Sequence, residues 1–72
     1  MSREMGILDI YKVLDKGTKL IISDGYSGEY LLPLGGKTYI LPDDIPISCF
    51  DWHVERVYIQ TTGIMDIQVS RS

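Results

Sequence analysis

Alanine and asparagine are absent from this 72-residue chain, and cysteine, histidine, tryptophan and phenylalanine occur once each. Isoleucine, valine and threonine together make up a quarter of the residues. β-Branched side chains favour strands, whereas alanine is the strongest helix former. The composition therefore argues against a long helical bundle or a coiled coil, and we expect most of the chain to be sheet.

Ten acidic residues outnumber seven basic ones, and the formal net charge is -3. The lysines are scattered, so the chain lacks a basic stripe that could neutralise successive phosphates of a nucleic acid. It also lacks the roughly 20 consecutive apolar residues of a membrane span, and its start carries no apolar signal segment. These absences argue against direct nucleic-acid binding and against membrane insertion.

The lone Cys49 cannot form a disulfide within the chain. Secreted domains of this size usually need several disulfides because their apolar cores are small. We therefore expect a cytoplasmic location and a single domain spanning residues 1–72. A core this thin would also gain stability from self-association into a homo-oligomer.

Residues 3–15 are predicted to form an amphipathic helix. Apolar residues recur with a helical period from Met5 to Leu14, and Gly17 is placed to end the helix. Because Gly6 costs about 1 kcal/mol in a helix interior, a strand that leads into a turn stays open as the alternative.

Three extended segments, at residues 18–23, 29–34 and 38–41, are predicted to form a meander. They are rich in apolar and β-branched residues and are separated by glycine-containing turns. Pro33 has no backbone N–H, so the middle strand either lies at an edge of the sheet or is interrupted there, and we favour the edge.

The apolar pattern changes register in the second half of the chain. Phe50, Trp52 and Val54 would share one face of a strand, but from Val57 onward the apolar residues occupy odd positions. A short helical turn near residues 48–55, followed by a strand, accounts for this shift.

The clearest prediction is a C-terminal β-hairpin. A three-residue loop that ends in a left-handed Gly63 opposes Val57 to Ile67 and Tyr58 to Asp66. This register gathers the aliphatic side chains of both strands on the core side, whereas a two-residue loop would mix them with polar residues.

Together these elements predict an α+β domain in which the N-terminal helix packs on a small, twisted and mainly antiparallel sheet. Lys16 and Gly17 follow the predicted helix, and a break at Ile45 and Pro46 precedes the last strands. In the order of these elements, the chain resembles small uncharacterised phage and prophage proteins of Gram-positive bacteria. Such chains include inhibitors of host processes and of antiviral defences. The resemblance implies an origin of that kind and carries no catalytic residues over to this chain.

Cys49, Asp51, His53 and Glu55 are spaced two apart and would share one face of an unbroken strand, as a metal site or a Cys-His pair requires. In a helical turn such side chains diverge. We therefore interpret Cys49 as a core residue and the other three as surface residues, and we expect no metal, no cofactor and no catalytic activity.

The aromatic residues give the stronger functional indication, since five tyrosines and one tryptophan cannot all fit into a thin core. Tyrosine and tryptophan anchor interfaces because they bury much area at a small entropic cost. We predict a binding surface that contains Tyr26, Trp52, His53 and Arg56.

The function that we predict is a small non-enzymatic binding protein, of the phage-inhibitor type, that occupies a host protein. The alternative is an oligomer that sequesters a small anionic ligand such as a signalling nucleotide. Aromatic rings would then stack on the base, while Arg56, Lys37 or His53 would meet the phosphates at a subunit interface. A third hypothesis is an assembly subunit that self-associates without a ligand.

Overall fold

The computed structural model describes residues 5–71 of the chain. Within that range, strands account for most of the regular structure, and one short α-helix and two 3₁₀-helices complete it. The elements are α1 (Ile7–Tyr11), β1 (Leu20–Asp24), β2 (Tyr30–Leu32), the 3₁₀-helices Pro42–Asp44 and Ile47–Cys49, β3 (His53–Ile59) and β4 (Met65–Ser70).

The four strands form one mixed sheet in the order β2-β1-β4-β3. β1 runs parallel to β4, whereas β2 and β3 are antiparallel to their neighbours. The prediction of a helix-on-sheet α+β fold is wrong, because the α-helix found within residues 5–71 has only five residues. Two of the three strand pairs are antiparallel as predicted, but the central pair makes the sheet mixed. A parallel pair needs a long crossover, and the segment 25–64 is long enough to return β4 to the centre of the sheet beside β1.

The predicted N-terminal helix of residues 3–15 is also wrong, because α1 covers only its middle. Gly6 has an extended backbone, with φ -101° and ψ 170°, and forms an antiparallel bridge to His53. A Cβ atom at this position would lie 3.3 Å from the carbonyl oxygen of Phe50. Pairing with the sheet therefore determines the backbone before α1. Residues 3 and 4 of the predicted helix lie outside the described residues.

α1 depends on the sheet for its stability. At its start, the Gly6 N–H donates to Asp9 Oδ2 at 3.0 Å, and the Ile7 N–H donates to the Trp52 carbonyl oxygen at 3.1 Å. Ile7 and Ile10 are both buried. A five-residue helix is too short to persist alone in water, so this packing maintains it.

The predicted helical turn at residues 48–55 is wrong over its second half. A 3₁₀-helix spans Ile47–Cys49, and β3 already begins at His53. The register of β3 against β4 shifts between Val54 and Arg56 through a bulge. A bulge adds one residue to a strand and so moves the following side chains to the opposite face. The shift of the apolar residues from even to odd positions therefore arises inside a strand and not at a helical turn.

The predicted meander is present only in its first two strands. β2 is an edge strand that ends just before Pro33, which confirms the prediction from the missing proline N–H. The third segment, residues 38–41, is reduced to a bridge in which Ile40 and Leu20 exchange backbone hydrogen bonds of 2.9 and 2.8 Å. β2 already occupies the rest of that edge of β1, which leaves no room for a longer third strand.

The hairpin of β3 and β4 has the predicted register, with Val57 opposite Ile67 and Tyr58 opposite Asp66. Gly63 in the connecting loop has φ 87°. Glycine adopts this left-handed conformation without a steric penalty. The hairpin is therefore the element that local sequence determines most completely.

The apolar core lies on one side of the sheet, which we call the core face. α1 and the 3₁₀-helix Ile47–Cys49 contribute buried side chains to it, and the prediction that Cys49 is a core residue is confirmed. The buried members of the core are Ile7, Ile10, Leu20, Ile22, Ile40, Ile45, Cys49, Ile67 and Val69. Among residues 5–71, no helix is long and apolar enough to cross a lipid bilayer.

Candidate functional site

The side of the sheet opposite the core carries three tyrosines, Tyr30, Tyr39 and Tyr58, with Arg56 and Gln68 beside them. We call this surface the tyrosine face. α1 and the second 3₁₀-helix place their buried side chains in the core cluster. Neither of these helices therefore covers the tyrosine face.

Strand register places Tyr30 and Tyr58 on this face. Tyr30 lies opposite Ser23, and Tyr58 lies opposite Asp66. Side chains of directly opposed residues point to the same side of a sheet, and Ser23 and Asp66 alternate with core residues of the central strands β1 and β4. The two rings therefore stand at opposite margins of one face.

Tyr39 joins the face beside β1. It precedes Ile40, whose side chain lies in the core cluster, so strand alternation directs Tyr39 to the other side. The Nζ atom of Lys19 lies 5.1 Å from the centroid of the Tyr39 ring. This cation–π contact orients the ring and leaves 38% of the residue exposed.

A buried polar pair lies in the middle of the tyrosine face. The Ser23 hydroxyl donates to Asp66 Oδ1 at 2.9 Å, and the two residues are 1% and 5% exposed. Ile21, on the same side of β1, is buried as well. A buried carboxylate is costly unless it is hydrogen-bonded, so this pair ties β1 to β4. The residues at the centre of the face are thus inaccessible. A ligand would contact the exposed tyrosines around this centre, which we call the rim.

The side chains of the rim are accessible and partly polar. Tyr30 is 61% exposed and Tyr58 is 43% exposed. Gln68 Nε2 donates to the Tyr58 hydroxyl at 3.1 Å, and Arg56 lies opposite Gln68 in the register. Because a tyrosine combines an apolar ring with a polar tip, this rim can contact apolar and hydrogen-bonding groups of a partner together.

A separate cleft of about 680 Å³ opens where β1 and β4 end and β3 begins. Asp24, Tyr26, Glu55 and Arg71 are among the residues that line it. Arg71 Nη2 lies 3.1 Å from Asp24 Oδ2, and Tyr26 is fully exposed. The cleft therefore combines one ion pair, one further carboxylate and one free aromatic ring.

The hydrogen bonds of Asp24 maintain the loop beside this cleft. Its Oδ1 atom accepts the Tyr26 N–H at 2.8 Å and the Ser27 N–H at 3.4 Å. The Tyr26 N–H, helped by the Ser27 N–H and by Arg71, lowers the pKa of the Asp24 carboxyl. A carboxylate held in this way orders a turn and is poorly placed to transfer protons.

The structure distributes the four predicted binding residues over different surroundings. Tyr26 and Glu55 line the cleft, and His53 Nε2 lies 3.8 Å from Glu55 Oε2. Arg56 lies on the tyrosine face instead, and Trp52 is half-buried against the core cluster. The structure thus groups Tyr26 and His53 near one carboxylate and separates them from Arg56 and Trp52.

The spaced series that begins at Cys49 is also dispersed. Cys49 is buried in the core, Asp51 is exposed, and His53 and Glu55 belong to the start of β3. Within residues 5–71, no three His, Cys, Asp or Glu side chains are grouped as a metal ion would require.

The predicted binding surface omitted Tyr30, Tyr39 and Tyr58. The hairpin register already opposed Tyr58 to Asp66, which was a usable signal that Tyr58 faces away from the core. The grouping of Tyr30 with Tyr39 depends on how residues 38–41 meet β1. That contact is non-local, and no pattern within either segment reveals it.

No family model, curated protein or solved structure matches this chain. A functional conclusion therefore depends on the chemistry of its surfaces.

Proposed function

We propose that this chain is a small non-enzymatic binding protein whose tyrosine face covers the surface of a protein partner. The observation that carries this proposal is the grouping of Tyr30, Tyr39 and Tyr58 around the closed centre of one sheet face. Tyrosine rings supply large and rigid contact areas at a low entropic cost, and they are enriched in protein-binding surfaces for that reason.

The size of the molecule suits this mode of action. A standard protein–protein interface covers about 800 Å² on each partner. The accessible surface of the chain is 5138 Å², so one such interface would take roughly one-sixth of it. A protein that works by covering a partner needs no catalytic group, only enough complementary surface.

Charge favours a protein over a nucleic acid as the partner. The chain carries a net charge of -3, and Lys19 is already engaged with the Tyr39 ring. Arg56 stands on β3, far from Lys19 across the sheet. Cations separated in this way cannot neutralise successive phosphates along a backbone.

The sequence supports the partner class and the compartment that we propose. The resemblance to small phage and prophage proteins makes a host factor, including a factor of antiviral defence, the partner that we propose, with inhibition as the result of its being covered. The free thiol of Cys49 is buried in the core and fits the reducing cytoplasm.

The nucleotide-sequestering alternative receives less support from the geometry. Lys37 lies three residues before Ile40, which borders β1, whereas Arg56 lies on β3 at the other margin. Three strand spacings, about 14 Å, separate these margins. One copy of the chain therefore does not bring the two cations to a common phosphate site, so this alternative requires a second copy to complete the site at a subunit interface.

The proposal is tested by removing the rings of the tyrosine face. We expect the variant Tyr30→Ser/Tyr39→Ser/Tyr58→Ser to retain at least about tenfold less host protein than the unchanged chain, since hot-spot residues each contribute about 1–2 kcal/mol or more. The measurement is quantitative mass spectrometry of proteins captured from a Gram-positive host lysate by each tagged chain. Circular dichroism confirms that the variant is folded.

A matched control removes exposed apolar residues elsewhere on the molecule. Val13, Leu34 and Ile47 are 81%, 72% and 82% exposed, and their combined replacement by serine should leave the captured protein unchanged. Equal losses in both variants, or an undiminished capture by the folded tyrosine variant, would overturn the proposal. Recovery of a nucleotide with no protein would replace it by the sequestering alternative.

A further inference from the structure

We infer that the chain forms a symmetric dimer by pairing the second half of β3 with the same segment of a second copy. The first half of this edge strand is already covered. The Val54 N–H donates to the Met5 carbonyl oxygen at 2.7 Å, and the Ile7 N–H donates to the Trp52 carbonyl oxygen at 3.1 Å. Beyond the bulge, no segment within residues 5–71 pairs with β3 on its outer side.

Hydrogen-bond alternation shows which backbone groups face outward there. The Gln60 N–H donates to the Ile64 carbonyl oxygen at 2.9 Å across the hairpin. In an antiparallel ladder every second residue bonds to the same neighbour, so Tyr58 also bonds toward β4. Val57 and Ile59 therefore direct their N–H and C=O groups away from the sheet.

Beyond the bulge, residues 57–59 carry no proline and no charged side chain, two of the features that usually prevent strand pairing. Natural edge strands are commonly short, bulged, or marked by proline or lysine. β2, the other edge, has only three residues and is followed by Pro33. In contrast, Val57 and Ile59 are β-branched, apolar, and 41% and 61% exposed.

The segment is complementary to a second copy of itself. If Tyr58 lies opposite Tyr58 of the second copy, Val57 lies opposite Ile59 of that copy, and the reverse pair also forms. Both pairs then exchange their outward N–H and C=O groups, which gives four backbone hydrogen bonds. The same register brings Val57 against Ile59 on one side and the two Tyr58 rings together on the other.

Charge does not oppose this register. Arg56 lies opposite the uncharged Gln60 of the second copy. The two Arg56 residues stand four positions apart along the strands, about 13 Å, which exceeds the screening length of about 8 Å at physiological salt. A strand of another protein would have to reproduce this match, whereas a second copy supplies it by symmetry. The inference depends on the β3 edge, and Tyr58 is the one residue of the tyrosine face that it also uses.

The test is the mass and the amide exchange of the unchanged full chain over a range of concentrations. We expect light scattering to give twice the 8.2 kDa of one chain at high concentration. Hydrogen exchange at the Val57 and Ile59 amides should slow as the dimer forms, while exchange in the β2 segment does not change. A chain of 8.2 kDa at every concentration would overturn the inference.

Two variants localise the interface. Val57→Pro removes an outward N–H that pairs with no strand among residues 5–71, and we expect it to weaken the dimer at least about tenfold because two hydrogen bonds are lost per dimer. Ile59→Lys adds a charge at the same edge and should have a similar effect if proline disturbs folding. Ile47→Lys, at a residue that is 82% exposed, is the matched control and should remain dimeric.

A further variant distinguishes failure of the dimer from failure of the proposed partner binding. Tyr30→Ser/Tyr39→Ser leaves the β3 edge intact and should still form dimers, even where partner capture is lost. A dimer that persists in folded Val57→Pro and in folded Ile59→Lys would place the contact elsewhere and overturn the inference, whatever the capture experiment shows.

Discussion

The two faces of the sheet use alternate residues of the same strands, yet they are closed in different ways. On the core face, Ile22 and Ile67 are fully buried beneath α1 and the second 3₁₀-helix. On the tyrosine face, Ser23 and Asp66 are nearly as inaccessible, but neither of these helices covers them. The core face is covered by other segments of the chain and stabilises the fold. The tyrosine face is buried only at its centre, so its exposed tyrosines remain available to a partner.

Truncation of the core face should have the largest effect. We expect Ile67→Ala to lower the free energy of unfolding by about 2–5 kcal/mol, because the methyl groups lose their contacts and leave a cavity. Chemical denaturation measures this loss, and Ile67→Val should lose only about 0.5–1.5 kcal/mol. If Ile67→Ala and Ile67→Val lost the same small amount, the core face could not be the main source of stability.

Loss of the polar pair on the tyrosine face should have an intermediate effect. Ser23→Ala removes the donor to the buried Asp66 carboxylate, and we expect the free energy of unfolding to fall by about 1–3 kcal/mol. The same denaturation experiment on Ser48→Ala, an exposed serine, gives the baseline for a serine outside the sheet. Equal losses at Ser23 and Ser48 would show that the pair contributes nothing and that the two faces differ less than we infer.

Substitution of Asp24 should have the smallest effect on stability at neutral pH. Asp24 is the last residue of β1 and lies opposite Val69 of β4. Because the Tyr26 N–H and its neighbours lower the pKa of Asp24 from its ordinary value of 3.8, the carboxylate stabilises the folded chain above that value. This contribution is lost as the pH falls through the lowered pKa. Melting temperatures between about pH 5 and pH 2 should therefore fall less steeply for Asp24→Asn. Parallel curves for both proteins would contradict this role of Asp24.

Sequence reasoning succeeded where the partners are close in the chain. The hairpin register and the left-handed Gly63 follow from a short loop and an apolar alternation. The edge position of β2 follows from Pro33. These features depend on steric and hydrogen-bonding rules that act over a few residues.

It failed where a distant segment changed the local preference. The helical period of residues 3–15 is interrupted at Gly6 by a bridge to His53, and the apolar shift after Val54 is absorbed by a bulge in β3. Residue propensity and apolar periodicity describe one segment at a time, so they do not reveal a partner strand that lies far along the chain. For the same reason, the predicted binding residues did not include the tyrosines that the sheet brings together.

The sequence by itself determined that strands are the main regular structure of this chain, that its last two strands form a hairpin, and that Cys49 belongs to the core. The expectation that most of the chain is sheet was too high, since the four strands cover less than half of residues 5–71. Only the tertiary structure decided that β4 runs parallel to β1, that residues 5–7 border β3, and that three tyrosines share one face. The physical reason is that composition and short-range alternation act within a segment, whereas strand order depends on which distant edges can pair and bury their apolar sides together.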